Sequence, residues 1–142
     1  MNWLPKHAVV VPVDFSDESF QAVDVALLLV DDPSHLHVIH VLPYLVPTEP
    51  GVIWSTVDDA QRMTHAQEAL EKQLGDTKYQ GIGFCVEFGD PGQQIAQFAQ
   101  QHNADLIVLP SHGRTGLTRL LIGSVAERVV RLAHCPVLVL RR

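Results

Sequence analysis

The sequence predicts an α/β fold with a five-stranded parallel sheet and helices on both faces. Five short runs rich in Val, Ile and Leu alternate with helical patterns along the 142 residues, which is typical of strand–helix–strand units. The runs are apolar at nearly every position, as parallel strands covered on both faces are. A chain of this length fits one domain, residues 1–142. We expect right-handed crossovers and the flavodoxin-like, Rossmann-like strand order 3-2-1-4-5.

Each element follows from a local pattern. The strands are expected at residues 7–14, 35–42, 83–88, 105–110 and 136–141, and the helices at residues 16–32, 58–75, 91–102 and 124–133. Ser16 or Asp17 can cap the first helix, and Asp90 followed by Pro91 is a typical helix start. Three prolines and a glycine predict a loop over residues 43–56.

Composition and charge narrow the classes of function. No apolar run approaches the ~20 residues of a membrane-spanning helix, and the start of the chain lacks a signal-peptide pattern. The two cysteines, Cys85 and Cys135, fit a reducing cytoplasm, and inert packing is the expected role of both. A net charge of −6 argues against general nucleic-acid binding. Arginines nevertheless gather in the C-terminal third, which favours a small anionic ligand there.

The strand order predicts where a ligand binds. In the order 3-2-1-4-5 the winding reverses between strands 1 and 4, and ligands of such sheets bind beyond the carboxyl ends of the strands at that reversal. The two loops at this point follow Asp14 and Pro110. The second loop is the stretch PSHGRTGLTRLLIGS, residues 110–124.

This stretch has features that suit an anion. Gly113 and Gly116 permit close approach of the backbone, and Gly123 with Ser124 opens the last helix. The first N–H groups of a helix lack intrahelical partners and carry partial positive charge, so a phosphate group binds well there. Two plainer interpretations stay open: the glycines only turn the chain, and Ser124 with Glu127 forms a capping box.

Several short motifs together resemble the universal stress protein family over nearly the whole chain. They are Pro12–Ser16, His40–Pro43, Gly89–Pro91, Asp105–Val108, Ser111–Gly116, Gly123–Glu127 and Cys135–Val139. The resemblance implies a fold of the adenine nucleotide alpha hydrolase-like type. It also implies a cytoplasmic stress-response protein that binds ATP as a regulator or sensor, with at most slow hydrolysis.

The ATP-binding members of that family share a signature, G-x-x-G, nine residues, then G-S/T. Here Gly113, the nine residues 114–122 and Gly123–Ser124 match, whereas Pro110 stands at the first glycine. Proline has no N–H, and the loss of one hydrogen bond to a charged group weakens binding by about ten- to a hundredfold. An alternative is therefore a nucleotide-independent, dimeric interaction module whose pocket is blocked by Pro110.

The resemblance implies a role for individual residues. Asp14 would contact the adenine or ribose, Val41 would line the adenine, and Gly113, Gly123, Ser124 and Val125 would cradle the triphosphate. Mg²⁺ would be held by the phosphates rather than by the protein. His112 would lie beside the phosphates, or would only hold the loop. The full predicted ATP-binding set is Pro12, Val13, Asp14, Ser16, Val41, Pro110, Ser111, His112, Gly113, Arg114, Gly116, Gly123, Ser124 and Val125.

No catalytic residue is predicted, so a weak ATPase is the third candidate function. The family resemblance also implies a homodimer formed through the apolar strand 136–141, while the sequence identifies no protein partner. A P-loop is absent, and a phospho-acceptor receiver domain would need a lysine after strand 5, where there is none. His35, His37 and His40 cannot converge on a metal from one regular strand, so satisfied or exposed histidines are expected.

Overall fold

The computed structural model describes residues 2–45, 58–112 and 122–141. Its five strands form one parallel sheet in the order β3-β2-β1-β4-β5, which confirms the predicted order. The strands are β1 (Val9–Pro12), β2 (Leu36–Leu42), β3 (Gly83–Phe88), β4 (Leu106–Pro110) and β5 (Val137–Leu140). The helices are α1 (Asp17–Leu27), α2 (Asp59–Gln73), α3 (Pro91–Gln101) and α4 (Ser124–Leu132). Short 3-10 turns cover Pro33–His35 and Thr77–Tyr79.

Strand β1 is the centre of two apolar layers. Alternate side chains of a strand point to opposite faces of the sheet. Val9 and Val11 pack on one face with residues of α1 and α2, whereas Val10 packs on the other with residues of α3 and α4. All three valines are fully buried. The predicted arrangement, with helices on both faces, is therefore confirmed. Within the described ranges no helix is both long and apolar enough to cross a bilayer.

Helix starts follow the sequence, with one exception. Ser16, Asp58 and Asp90 each accept a hydrogen bond from a backbone N–H in the first turn of their helix. In α4, Gly123 is the N-cap and provides no side-chain cap, so Ser124 is the first helical residue. The interpretation of Ser124 as a cap is therefore wrong. The same holds for Glu127, whose carboxylate accepts a hydrogen bond from Arg131.

Helix α1 ends at Leu27, earlier than the predicted limit at residue 32. The chain turns after Leu27 and returns to the amino end of the sheet, where the backbone N–H of Lys6 donates to the carbonyl of Leu29 at 2.8 Å. Lys6 and Val30 also form a parallel bridge. Backbone pairing with the N-terminal segment therefore stops the helix, although Leu28 and Leu29 are good helix formers.

Candidate functional site

A pocket of about 130 Å³ lies at the carboxyl ends of β1, β2 and β4, at the predicted reversal of winding. Its wall is built by Pro12, Val13, Asp14, Ser19, Ile39, His40, Val41, Pro91, Ile95, Leu109, Pro110, Ser111, Val125 and Ala126. Most of these side chains are apolar, and the polar ones come from the loop after β1, the first turn of α1, β2 and the end of β4. An engineered apolar cavity of ~150 Å³ accepts a benzene-sized ring. The part of the pocket that the described residues enclose is therefore large enough for one flat ring but not for a whole nucleotide.

The turn after β1 is held by a network of short hydrogen bonds. The Asp14 carboxylate accepts from the backbone N–H of Ser16 at 3.0 Å and also from the Ser16 hydroxyl. The Ser16 Oγ accepts from the N–H of Ser19 at 3.2 Å, and the Ser19 hydroxyl donates to the Ser16 carbonyl at 2.8 Å. Asp14 therefore holds the entry to α1 locally and also lines the pocket, where the sequence predicts that it contacts the nucleotide.

Phe15 gives this turn its shape. Its φ of +65° lies in the left-handed region, which costs a non-glycine residue roughly 1–2 kcal/mol. Its ring packs against Phe20, with the centroids 6.1 Å apart, and edge-on against His40, at 4.7 Å. These aromatic contacts offset the backbone strain and keep Asp14 beside the pocket.

His40 is a pocket residue that sequence reasoning missed. It had been expected to be a satisfied or exposed strand histidine, and its Nδ1 does lie 2.7 Å from the carbonyl oxygen of Val13. A carbonyl only accepts, so Nδ1 carries the proton, and in the neutral ring Nε2 is then an acceptor. The signal was available, because His40 lies beside Val41 at the carboxyl end of β2, where this fold places its ligands.

The end of β4 and the start of α4 are joined directly. The N–H of Gly123 donates to the carbonyl of Ser111 at 2.5 Å, and the N–H of Ser111 donates to Leu140 at 2.8 Å. A Cβ at position 123 would lie 3.0 Å from the Ser111 oxygen, so the close approach favours glycine. The Gly123 amide is thus used by the protein itself. The next amides, those of Ser124 and Val125, have no acceptor within the helix and lie at its positive end.

Pro110 and His112 lie next to this junction. Pro110 ends β4, where it is paired in register with Leu140, and its ring forms part of the pocket wall without filling the pocket. The Nδ1 of His112 is buried and has no hydrogen-bond partner among the described residues. His112 lines a smaller cavity of about 50 Å³ on the other side of Pro110. Gly113, Arg114 and Gly116 lie outside the described residues.

The other candidate residues of the sequence are elsewhere. His35 lies in a 3-10 turn and His37 packs against Phe98 and His102, so these two histidines do not converge with His40. Burial raises the pKa of the Cys85 thiol to about 11, and it also raises the pKa of Cys135. Both thiols are therefore neutral near pH 7, as expected for cysteines that only pack.

The sheet order, the helices on both faces and the pocket at the strand ends define a doubly wound α/β protein. Its similarity to solved universal stress protein structures makes it one of the adenine nucleotide alpha hydrolase-like class. The model of the Universal stress protein family matches residues 6–141, and the chain belongs to this family. It is 36% identical over 141 residues to a universal stress protein of Methanocaldococcus jannaschii, a match that covers 94% of this chain and 81% of that relative.

Solved structures of the family share the fold. The universal stress protein UspA from Lactobacillus plantarum superposes with a TM-score of 0.77 at 27% identity, covering 99% of this chain and 100% of that one. A universal stress protein crystallised in complex with cAMP superposes with a TM-score of 0.56 at 26% identity, covering 96% and 97%. The second structure shows that one protein of this fold and family holds an adenine nucleotide.

Proposed function

We propose that this protein binds an adenine nucleotide, ATP first among them, at the carboxyl ends of β1 and β4. It would act as a cytoplasmic, nucleotide-dependent regulator or sensor in a stress response. The observation that carries the proposal is the ring-sized, largely apolar pocket at the reversal of winding, with the positive end of α4 in its wall. An aromatic base and an anionic tail need these two features together.

The base would occupy the apolar part of the pocket. Val13, Ile39 and Val41 offer apolar contact area for the faces of the base. Asp14 and the Nε2 of His40 offer acceptors for the exocyclic amino group or a ribose hydroxyl. The pocket is too small for the whole ligand, so the ribose and phosphates would extend out of it. The cAMP complex of a related protein supports this class of ligand.

The phosphates would lie at the start of α4. The amides of Ser124 and Val125 are the nearest donors without an intrahelical acceptor, and the loop glycines Gly113 and Gly116 with Arg114 would complete the cradle. Mg²⁺ would then be bound by phosphate oxygens and water, because this cation keeps several waters and takes few protein ligands. Ser16, Pro12 and Ser111 would shape the cradle through the turns that they form.

Hydrolysis would be slow at most. Asp14 and His40, the two titratable groups in the described pocket wall, are tied into the turn after β1 and would lie beside the base. Neither is placed to orient water at a terminal phosphate, which efficient phosphoryl transfer requires. We therefore propose that the protein binds a nucleotide as a regulator or sensor and is not an efficient ATPase.

The second candidate is a nucleotide-independent dimeric module, and it rests on Pro110 in the pocket wall. The homodimer itself is common to both candidates. β5 is an edge strand, and the carbonyls of Pro136 and Leu140 accept hydrogen bonds from the β4 side. The backbone groups of Val137 and Val139 therefore point to the open side, where the same strand of a second copy could pair antiparallel. Exposed Val130 and Leu132 would add apolar contact area.

The decisive experiment measures bound nucleotide directly. The purified protein is denatured, the supernatant is analysed for AMP, ADP and ATP, and ATP is titrated into nucleotide-free protein by calorimetry. We expect bound adenine nucleotide in the wild type and a gain of about ten- to a hundredfold in ATP affinity for Pro110→Gly. The matched control is Pro136→Gly, an exposed proline at the opposite end of β5 from the pocket, which should not change the affinity.

The outcomes separate the two candidates. Failure of both wild type and Pro110→Gly to bind ATP would overturn the nucleotide proposal and favour the interaction module. Binding by Pro110→Gly alone would show that the proline ring closes the pocket. Sedimentation velocity tests the dimer: Val139→Pro removes a donor on the open side of β5 and should give monomers.

A further inference from the structure

Three potential metal ligands meet at the amino ends of β1 and β2, at the opposite end of these strands from the pocket. His7 precedes β1, Asp31 follows α1, and His35 precedes β2. One ligand atom of each residue lies within 4.8 Å of the other two. We call this group the His7–Asp31–His35 cluster. Sequence reasoning considered only the histidines of one strand, and His7 joins them through the tertiary fold.

The backbone that carries the cluster is held in place from several sides. The N–H groups of His7 and Ala8 donate to the two carboxylate oxygens of Asp105, at 2.9 and 3.2 Å. On the other side, Asp32 caps the 3-10 turn: its Oδ1 accepts from the N–H of Ser34 at 2.8 Å, and its carbonyl accepts from His35 at 3.0 Å. The ligand-bearing residues therefore have little backbone freedom to lose when an ion binds.

The side chains, by contrast, are accessible and already close together. His7 and Asp31 are exposed and His35 is partly exposed. The Nδ1 of His35 lies 2.9 Å from an oxygen of Asp31, and the rings of His7 and His35 meet edge-to-face with their centroids 5.9 Å apart. Ligands of a tetrahedral zinc ion are roughly 3.4 Å from one another, as its bond lengths of about 2.0–2.2 Å require. A small rotation of the His7 side chain towards the other two ligands would complete the triad.

We propose that the His7–Asp31–His35 cluster binds a divalent transition-metal ion of the zinc class. Two imidazoles and one carboxylate suit Zn²⁺, Ni²⁺ or Cu²⁺, whereas Mg²⁺ and Ca²⁺ prefer sites built of oxygen ligands. Three protein ligands leave one tetrahedral position for water or another ligand. The ion would tie the N-terminal segment to the α1–β2 connection, at a distance from the proposed nucleotide site.

The test is a calorimetric titration of the 142-residue chain with ZnCl₂ in metal-free buffer. We expect one ion per chain and a loss of more than about tenfold in affinity for His7→Ala and for Asp31→Asn. His65→Ala and His134→Ala are the matched controls, because both remove an exposed histidine outside the cluster. Their affinity should equal that of the wild type, and MgCl₂ should give no binding.

Two further measurements test whether the bound ion is coordinated by the His7–Asp31–His35 cluster. Co²⁺ should give the visible absorption of a tetrahedral complex in the wild type and in His65→Ala, but not in His7→Ala. At a hundredfold excess of Zn²⁺ over the Kd, the melting temperature should rise by roughly 5–10 °C. Equal Zn²⁺ affinity of the wild type and His7→Ala, or no stoichiometric binding by the wild type, would overturn the proposal. Neither outcome depends on whether the protein binds a nucleotide.

Discussion

Helices α3 and α4 pack closely at Gly92, and the substitution Gly92→Ala tests how tightly they are held there. A Cβ on Gly92 would lie 2.6, 2.7 and 2.8 Å from the Cγ, Cδ and Cβ atoms of Arg128. Separations below 3.0 Å essentially never occur for real Cβ atoms. The Cβ of Arg128 is fixed to the backbone of α4, so the side chain cannot relieve the overlap by changing its rotamer alone.

Two opposing effects determine how far Gly92→Ala changes the free energy of unfolding. Overpacking of a tight contact costs about 1–3 kcal/mol, and alanine in place of glycine within a helix returns at most about 1 kcal/mol. The salt bridge of Arg128 to Asp90 is exposed on both sides, so its loss adds little. We therefore expect Gly92→Ala to lower the free energy of unfolding by about 1–2 kcal/mol.

Urea unfolding followed by circular dichroism measures this change. With an m-value of about 2 kcal/mol/M, a loss of 1.5 kcal/mol moves the midpoint down by roughly 0.7 M. The double variant with Arg128→Ala removes the Cγ and Cδ atoms and should recover about 1 kcal/mol. Gln97→Ala, an exposed change on the same helix, is the control and should stay within ~0.5 kcal/mol of the wild type. An unchanged midpoint for Gly92→Ala would refute the close helix contact.

Three other predictions concern single side chains. Tyr79→Phe removes the hydroxyl that donates to Asp24 at 2.6 Å, and urea unfolding should show a loss of about 1 kcal/mol. Burial raises the pKa of Cys85 to about 11. The rate at which iodoacetamide alkylates Cys85, measured by mass spectrometry in a Cys135→Ser background, should therefore keep rising up to about pH 11. A rate that stops rising near pH 8 would contradict this. Burial lowers the pKa of His37 from 6.5, so this imidazole binds a proton more readily in the unfolded chain than in the folded one. This contribution to stability is complete above about pH 6.5 and is lost as the pH falls towards the lowered pKa; a His37→Gln variant should show a flatter pH dependence in urea titrations.

The elements of the fold were predictable because their signals are local. β3 spans Gly83–Phe88 as expected, and the other strands differ from their predicted limits by a few residues at most. Buried parallel strands must be apolar on both faces, and this pattern is visible in the sequence. The end of α1 was not predictable in this way, because the pairing of Lys6 with Val30 involves residues distant along the chain.

The site was predictable in its place but not in all of its contacts. Strand order alone leads to the pocket beside Asp14 and Pro110. The capping-box interpretation, one of those that the sequence left open, was wrong because a serine three residues before a glutamate is also found one position inside a helix. His40 could have been found from its place at the carboxyl end of β2, but its contact with Val13 depends on the register of β1 with β2. Likewise, His7 meets Asp31 and His35 only once the sheet has formed.

The hydrogen bond between Ser111 and Gly123 has a consequence for engineering and for divergence within the family. It joins the two ends of the segment that connects β4 to α4. The relative position of β4 and α4 therefore does not depend on the sequence of that segment. Closing a somewhat longer or shorter loop changes the entropy cost by only a few tenths of a kcal/mol. Under the proposed function, transplanting residues 113–121 from a relative should change which ligand is preferred, while the melting temperature of the recipient changes little.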